Sequence, residues 1–303
     1  MNWLLFTLVM LFWSGSFIAI RFSLEGFEPM MAAAMRVFLA AIFLGSYRIF
    51  KRVPFPTDRT IILKVAGVGL FSFAIPWALL FWGEQFVSPA VAAILNSSTP
   101  IFVLTFSWFF LPQDRPTKVG IFGVFLGFVG ILLVFLPEVS MEDIVQGGST
   151  FWGMVAVLGM AISYGLGAVG IRKACNGMDL PWVVTIQCIS SSIFLVVVGT
   201  LGGFDMGWGS LGEVSTKAWV SIVYLAIGST ALANVIYYHL IAQWGALKAS
   251  AVTYAIPFLA MVIDWIVLSA SPSWQQLLGA VFIVSGLGFI HLLRKKPLRS
   301  PHR

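Results

Sequence analysis

Ten apolar stretches, each long enough to cross a lipid bilayer, follow one another along this chain of 303 residues. A helix needs about 20 mostly apolar residues to cross about 30 Å of hydrocarbon. The stretches cover residues 3–20, 30–50, 61–82, 88–110 and 117–136, and then 151–171, 180–201, 217–241, 248–269 and 275–293. This pattern predicts an all-α membrane protein with ten transmembrane helices.

The composition agrees with this interpretation. Hydrophobic residues make up 59% of the chain and charged residues only 10%, whereas soluble domains carry about 25% charged residues. The segments between the stretches are too short to hold a soluble catalytic domain. The first stretch lacks a basic leading region and a small-x-small cleavage motif, so we interpret it as a true span and not as a signal peptide.

The basic residues lie in alternate connecting segments. If the N-terminus is cytoplasmic, the inner segments and the stretch ends beside them hold 15 of the 18 lysines and arginines. Their outer counterparts hold Arg21 and Lys217, and Arg36 falls deeper within a stretch. The positive-inside rule then predicts that both termini are cytoplasmic. The net charge of +6 is spread over these segments and not gathered on one patch, so we expect no nucleic-acid partner.

The first five stretches match the last five in a consistent order. Trp13-Ser14-Gly15 corresponds to Tyr164-Gly165-Leu166, Ser72 to Ser229, and Pro100 to Pro257. An odd number of spans per copy inverts the second copy, so we predict two inverted five-helix repeats, residues 1–140 and 150–296, and a basic cytoplasmic tail, residues 297–303. Chance similarity between apolar segments is the alternative. Inverted repeats are typical of secondary transporters, with the substrate near the bilayer midplane.

Several short motifs, taken in order, resemble the EamA family of the drug/metabolite transporter superfamily. They are Trp13-Ser14-Gly15-Ser16-Phe17, Met35-Arg36-Val37, Asn96-Ser97-Ser98-Thr99-Pro100 and the glycines between Gly120 and Gly130. The resemblance implies ten helices with both termini inside and a central cavity lined by the first, third, fourth, sixth, eighth and ninth. It also implies that small organic metabolites, often amino acids, leave the cytoplasm through a bacterial-type inner (plasma) membrane.

Polar and aromatic residues deep in those helices are the candidates for substrate binding. They are Trp13, Ser16, Trp77, Phe81, Asn96, Ser97, Tyr164, Asn234, Tyr237 and Tyr254. Ligand pockets are mostly apolar, with a few polar groups that fix orientation. Core packing or lipid contact is the alternative for the aromatic residues, and hydrogen bonding between helices is the alternative for the serines and asparagines.

Prolines and charges within the stretches are the other candidates. Pro76, Pro100 and Pro257 each remove a backbone donor, which suggests either site-shaping breaks or simple packing kinks. Arg36, His239 and Asp264 are the possible coupling or structural charges. For Arg36 we favour a structural ion pair or helix-end contact, because the resemblance makes the second helix peripheral; binding of a substrate carboxylate is the alternative. Asp264 could relay protons, bind an amine or pair with a neighbour.

No motif indicates an enzyme. The chain has no Walker A lysine loop, no His-x-x-Glu-His, no Cys-x-x-Cys and no carboxylate cluster suited to a metal, so we expect neither cofactor nor metal. The best interpretation is a secondary transporter that works by alternating access on a small-molecule substrate within the bilayer. A passive facilitator is the alternative within transport, and a membrane-embedded lipid-modifying enzyme is the alternative outside it. The oligomeric state stays open, and a monomer is compatible with the sequence.

The charge distribution makes the topology testable. We expect both termini in the cytoplasm and residues 137–150 outside. A single cysteine at position 145, introduced after replacement of Cys175 and Cys188, should react with an impermeant thiol reagent in intact cells. Reaction only after permeabilisation would contradict this topology.

Overall fold

The computed structural model describes residues 1–112, 117–135, 148–175, 177–207, 212–268 and 273–292. In this part of the chain all regular structure is helical. Seven helical stretches are long and apolar enough to cross a membrane: Asn2–Ser23, Pro29–Phe50, Arg59–Gly83, Val91–Phe110, Ser149–Ala174, Leu180–Leu201 and Thr216–Trp244. Shorter apolar helices cover Lys118–Gly130, Ala246–Leu259 and Leu277–Ile290. Each of the ten apolar stretches is therefore helical where the structure describes it.

The helices are numbered here in chain order. The first half holds α1 (Asn2–Ser23), α2 (Pro29–Phe50), α3 (Arg59–Gly69), α4 (Ile75–Gly83), α5 (Pro89–Asn96), α6 (Thr99–Phe110) and α7 (Lys118–Phe135). The second half holds α8 (Ser149–Ala174), α9 (Leu180–Leu201), α10 (Thr216–Tyr224), α11 (Ala233–Trp244), α12 (Ala246–Ser250), α13 (Val252–Leu268) and α14 (Trp274–Leu292). Two π-helical segments join α3 to α4 (Leu70–Ala74) and α10 to α11 (Leu225–Leu232).

Polar side chains mark where several helices begin. Asp58, Ser88, Asp179 and Ser215 each accept a hydrogen bond from a backbone N–H in the first turn of the following helix, at 2.8, 3.2, 3.1 and 3.2 Å. These N–H groups have no partner within the helix, so a capping oxygen satisfies a donor that would otherwise need water. The caps fix the helix starts at the ends of the apolar stretches.

Four stretches are interrupted, the third, fourth and eighth near their middle and the ninth near its start. The third passes through the π-helical segment just before Pro76, where the Ile75 N–H bonds to the Leu70 carbonyl, five residues back. Proline cannot donate and its ring crowds the preceding turn, so a widened turn accommodates it. The fourth is broken at Ser97 and Ser98, with Pro100 in the first turn of α6.

The second half is interrupted at places that its prolines do not mark. The eighth stretch contains a longer π-helical segment without a proline, which the sequence did not predict. The ninth is broken at Ala251, between α12 and α13, whereas Pro257 lies inside α13. A proline is therefore one cause of interruption in this fold, and not a marker of every interruption.

The helices pack across the two halves of the chain. At the periphery, α2 packs along α9 and α7 packs along α14. Each pair joins a stretch of the first half to the stretch at the matched position of the second half. The centre is formed by α1, α8, α13 and the interrupted stretches, with α1 against α13 and α8 against α4 and α6.

Ion pairs tie neighbouring segments at the ends of the helices. Arg48, in the last turn of α2, pairs with Asp179 at the start of α9. Lys217 pairs with Glu25 at 2.8 Å, which joins the α1–α2 connection to the start of α10. The predicted repeat boundary between residues 140 and 150 falls largely outside the described residues, and the predicted basic tail, residues 297–303, lies entirely outside them.

Glycines allow the close approach of α7 and α14. A Cβ added at Gly286 would lie 2.6 Å from both the Gly123 carbonyl oxygen and the Gly127 backbone nitrogen, and these backbone atoms cannot turn away as a side chain can. Added volume in a tightly packed contact costs about 1–3 kcal/mol.

We therefore expect Gly286→Ala to lower the thermal unfolding temperature of the purified protein in detergent. Gly288→Ala is the matched control, because a Cβ there meets nothing within 4 Å. Equal stability of the two variants would contradict the close packing.

Candidate functional site

A central cavity lies where the interrupted stretches meet. About 50 Å³ of it can hold the centre of a water-sized sphere, and the space not filled by atoms is about 650 Å³ when open solvent is included. Its walls come from α1, α2, α8, α13 and the third, fourth and eighth stretches. The lining residues are Trp13, Ser16, Phe17, Arg36, Ser72, Trp77, Leu80, Asn96, Thr99, Met160, Tyr164, Ala168, Ile171, Asn234, Tyr237, Tyr238, Thr253 and Ile256. These are the stretches that the family resemblance implies, with the second stretch added through Arg36.

Aromatic side chains form much of the wall, and hydrogen bonds fix their polar edges. The Trp13 indole N–H donates to the Ser229 carbonyl oxygen at 3.0 Å, and the Trp13 ring meets Tyr237 edge-on at 4.9 Å between centroids. The Trp77 indole N–H donates to the Tyr164 hydroxyl. These contacts orient the aromatic rings, so that a flat or apolar part of a ligand can pack against them.

Arg36 brings the one formal charge among the lining residues. Its Nε donates to Thr230 Oγ1 at 2.7 Å and its Nη2 to Ser229 Oγ at 3.0 Å. Its guanidinium carbon lies 4.0 Å from the centroid of the Trp77 ring, within cation–π distance. In the described part of the chain Arg36 has no carboxylate within 4.0 Å. Of the two structural roles that we favoured for Arg36, an ion pair or a helix-end contact, the ion pair is absent from the described residues, and the side chain lies in the cavity wall.

Two asparagines face the cavity from opposite halves of the chain. Asn234 Nδ2 donates to the Thr230 carbonyl oxygen at 2.8 Å and so ties α11 to the π-helical segment before it. Asn96, the last residue of α5, accepts a hydrogen bond from Thr99 Oγ1 at 3.3 Å through its side-chain oxygen. The two side-chain N–H donors of Asn96 therefore form no hydrogen bond with any described residue, whereas the side-chain amide of Asn234 donates to a backbone carbonyl.

The structure brings seven of the ten predicted binding residues to the cavity: Trp13, Ser16, Trp77, Asn96, Tyr164, Asn234 and Tyr237. It places three elsewhere. Phe81 is fully buried within α4 and does not reach the cavity. Ser97 donates to the Thr253 carbonyl oxygen at 2.6 Å, which links α5 to α13. The Tyr254 hydroxyl donates to the Val124 carbonyl oxygen at 3.1 Å.

Of the two remaining predicted charges, only the side chain of His239 is described. His239 is half-buried in α11 and does not line the cavity. Asp264 belongs to α13, and its side chain lies outside the described residues.

Other lining residues were not among our candidates. The polar ones are Ser72, Thr99, Tyr238 and Thr253, and each has a sequence signal that could have identified it. Thr99 belongs to the polar run that begins at Asn96, and Thr253 is the match of Asn96 in the second half. Ser72 matches Ser229 in the second half, and Tyr238 lies between Tyr237 and His239 in an otherwise apolar stretch. Apolar lining residues such as Met160 and Ile256 carry no such signal, because nearly every position in these helices is apolar.

Comparison with known proteins agrees with this architecture. The EamA-like transporter family model matches residues 2–136 and 151–292. An uncharacterized transporter of Archaeoglobus fulgidus is 26% identical, covering 97% of this chain and 99% of that protein. The uncharacterized transporter YdfC of Bacillus subtilis is 27% identical over 92% of this chain and 87% of its own length. A solved crystal structure superposes with a TM-score of 0.77 at 18% identity, over 97% of this chain and 98% of that chain, and so shares the fold.

The support of Arg36 can be tested through stability. Thr230→Val keeps the side-chain shape but removes the acceptor of Arg36 Nε, and an unpaired buried donor on a charged group costs about 1.5–3 kcal/mol. We expect a lower thermal unfolding temperature for this variant. Thr105→Val is the control, because Thr105 is exposed on α6 and donates only to the Ile101 carbonyl oxygen within its own helix. If Thr230→Val is as stable as the control, the guanidinium does not depend on this hydroxyl.

Proposed function

This chain belongs to the EamA-like transporter family, and from that premise we propose that it is a secondary transporter that moves a small organic metabolite, an amino acid or a similar solute, out of the cytoplasm. The names of its relatives also point to a transporter rather than an enzyme. The apolar helices and the family together make it an integral, multi-pass membrane protein. We further propose that it resides in a bacterial-type inner membrane with both termini in the cytoplasm.

The observation that carries the proposal is the central cavity between interrupted helices. Broken helices within a membrane are tolerated where they line a cavity or find other partners, and in transporters they form the substrate site. Here the interruptions at Leu70–Ala74, Ser97 and Ser98, Leu225–Leu232 and Ala251 all fall in stretches that line the cavity. We propose that the solute binds there, among Trp13, Ser16, Trp77, Asn96, Tyr164, Asn234 and Tyr237.

Alternating access is the mechanism that we propose. The pairing of α2 with α9 and of α7 with α14 supports two five-helix repeats, because each pair joins matched stretches of the two halves. Inverted repeats that rock about a shared site would open it to one side and then to the other. The weakened helical hydrogen bonding at the interruptions supplies places where such movement can occur.

Passive facilitation is the second candidate function, and the lack of acidic residues among the described lining residues supports it. No acidic residue lines the cavity in the described part of the chain. The described lining residues therefore include no carboxylate that could exchange protons at the binding site.

The function is tested by solute flux in liposomes that contain only this protein. We expect saturable uptake and counterflow of at least one labelled solute from a mixture of amino acids and small organic acids, beyond that in protein-free liposomes. Accumulation above equilibrium under an imposed pH gradient would identify proton coupling, and equilibration alone would identify a facilitator. Absence of flux for every solute would contradict the proposal.

The binding site is tested with the same assay. We expect Asn96→Ala to raise the apparent KM for the carried solute by roughly tenfold, which is about 1.4 kcal/mol and typical of one lost hydrogen bond. Ser98→Ala is the control from the same polar run, because Ser98 does not line the cavity and its hydroxyl donates to the Leu95 carbonyl oxygen. An unchanged KM for Asn96→Ala would place the polar contact elsewhere.

A further inference from the structure

Arg36 is a buried cation whose charge the described residues leave without a close counter-ion. Only 2% of its surface is exposed, and no carboxylate lies within 4.0 Å in the described part of the chain. Burying a guanidinium costs several kcal/mol unless a partner offsets the loss of water. Within a membrane such charges are paired, or they face a water-filled cavity or a ligand path. Because Arg36 lines the cavity, a molecule that enters the cavity can supply its counter-ion.

The protein holds Arg36 with neutral groups that leave part of the guanidinium unused. Nε and Nη2 donate to the hydroxyls of Thr230 and Ser229, and the Trp77 ring covers one face. Nη1 donates no hydrogen bond to any described residue. A guanidinium has five N–H donors, and its geometry matches the two oxygens of a carboxylate. The hydroxyls and the indole orient the group without neutralising it.

Glu84 is the protein's own alternative as a counter-ion. It follows the last residue of α4, it is buried, and it interacts electrostatically with Arg36 and Arg21. It forms no ion pair with either arginine, and neither carboxyl oxygen has a hydrogen-bond partner. Burial raises the pKa of the Glu84 carboxyl well above its usual range, and the two arginines only partly oppose this effect. Glu84 therefore makes no direct contact with Arg36 and leaves the free N–H donors of the guanidinium without a partner.

We propose that the solute of this cavity carries a carboxylate and that Arg36 is the residue that binds it. This proposal rests on the proposed function, because it assigns the solute class of the same cavity. The carboxylate would supply a counter-charge in direct contact with Arg36, which no described residue does, with the unused Nη donors as its partners. Charge-assisted hydrogen bonds of this kind are about twice as strong as neutral ones.

The other lining residues restrict which chemical groups the solute can carry besides its carboxylate. A phosphate would bring more negative charge and more acceptors than one arginine can satisfy, and no second cation lines the cavity in the described residues. The other walls are aromatic and aliphatic, with the free amide donors of Asn96 among them. A small carboxylic acid with an apolar or aromatic body, or an amino acid of that kind, fits this chemistry.

Binding of matched acids and amides to the purified protein tests the proposal directly. The probes are hydrocinnamate and hydrocinnamamide, hexanoate and hexanamide, phenylalanine and phenylalaninamide, leucine and leucinamide, and phenyl phosphate as the other anion. A ligand that binds the folded state raises its thermal stability according to its saturation. We expect at least one acid to bind at least tenfold more tightly than its amide and more tightly than phenyl phosphate.

Substitutions then connect this preference to Arg36. Arg36→Gln should reduce the acid's affinity to that of the amide, and Arg36→Lys should retain part of the preference, because it keeps the charge but loses the planar pair of donors. Arg21→Gln is the matched control, since it removes the same charge from an exposed position on α1. If Arg36→Gln does not fold, Arg36→Lys still tests the proposal, because its acid preference should fall while its amide affinity stays unchanged.

The outcomes separate this proposal from the proposed function. No preference for any acid over its amide, tighter binding of phenyl phosphate, or a preference that survives in Arg36→Gln would overturn the carboxylate assignment. Liposome flux of a solute without a carboxylate would overturn it while leaving the transport function intact. An acid that binds through Arg36, combined with an absence of flux for every solute, would overturn the transport function and retain the binding site.

Discussion

The need to satisfy every backbone hydrogen bond in an apolar environment organises this structure. A continuous α-helix meets this need within itself, and the peripheral helices α2, α7, α9 and α14 are uninterrupted. The central stretches depart from this rule, and side chains compensate where they do. In the π-helical segment Leu225–Leu232, the Ser229 carbonyl oxygen accepts from the Trp13 indole and the Thr230 carbonyl oxygen accepts from the Asn234 amide. The polar side chains of the cavity are thus partly a consequence of how its backbone is built.

The same compensation positions the charge. Arg36 comes from an unbroken peripheral helix, but its acceptors, Ser229 and Thr230, belong to a π-helical segment of the opposite half. Their carbonyl oxygens accept hydrogen bonds from Trp13 and Asn234, and their hydroxyl oxygens accept hydrogen bonds from Arg36. Two consecutive residues therefore join α1, α2 and α11 at the cavity wall. A backbone shift across both residues would move Trp13, Asn234 and the guanidinium together.

The sequence predicts the helices of this protein much better than it predicts which way their side chains face. Apolar length located the helical stretches that the structure describes, because spanning hydrocarbon requires a run of apolar residues whatever the packing. The direction in which each side chain points is harder to predict. Nearly all positions are apolar, so hydrophobicity hardly distinguishes the side of a helix that faces lipid from the side that faces the protein interior. Ser97 and Tyr254 illustrate this: both are polar residues in cavity-lining stretches, yet each turns to a backbone carbonyl of another helix. A π-helical segment adds a residue to a turn, which also shifts the face of every residue after it.

Arg36 shows why a charge within an apolar stretch has to be interpreted with its partners. Its helix is peripheral, which favoured a structural ion pair when only the sequence was considered. The structure keeps the helix at the periphery but brings the long side chain inward, beneath Trp77 and onto hydroxyls of the second half. Because those contacts cross from one half to the other, an anion that shares the guanidinium would interact with both halves through a single residue. Binding changes a conformational equilibrium only to the extent that the ligand prefers one state. A contact between the halves that depends on ligand charge is a physical means of creating that preference.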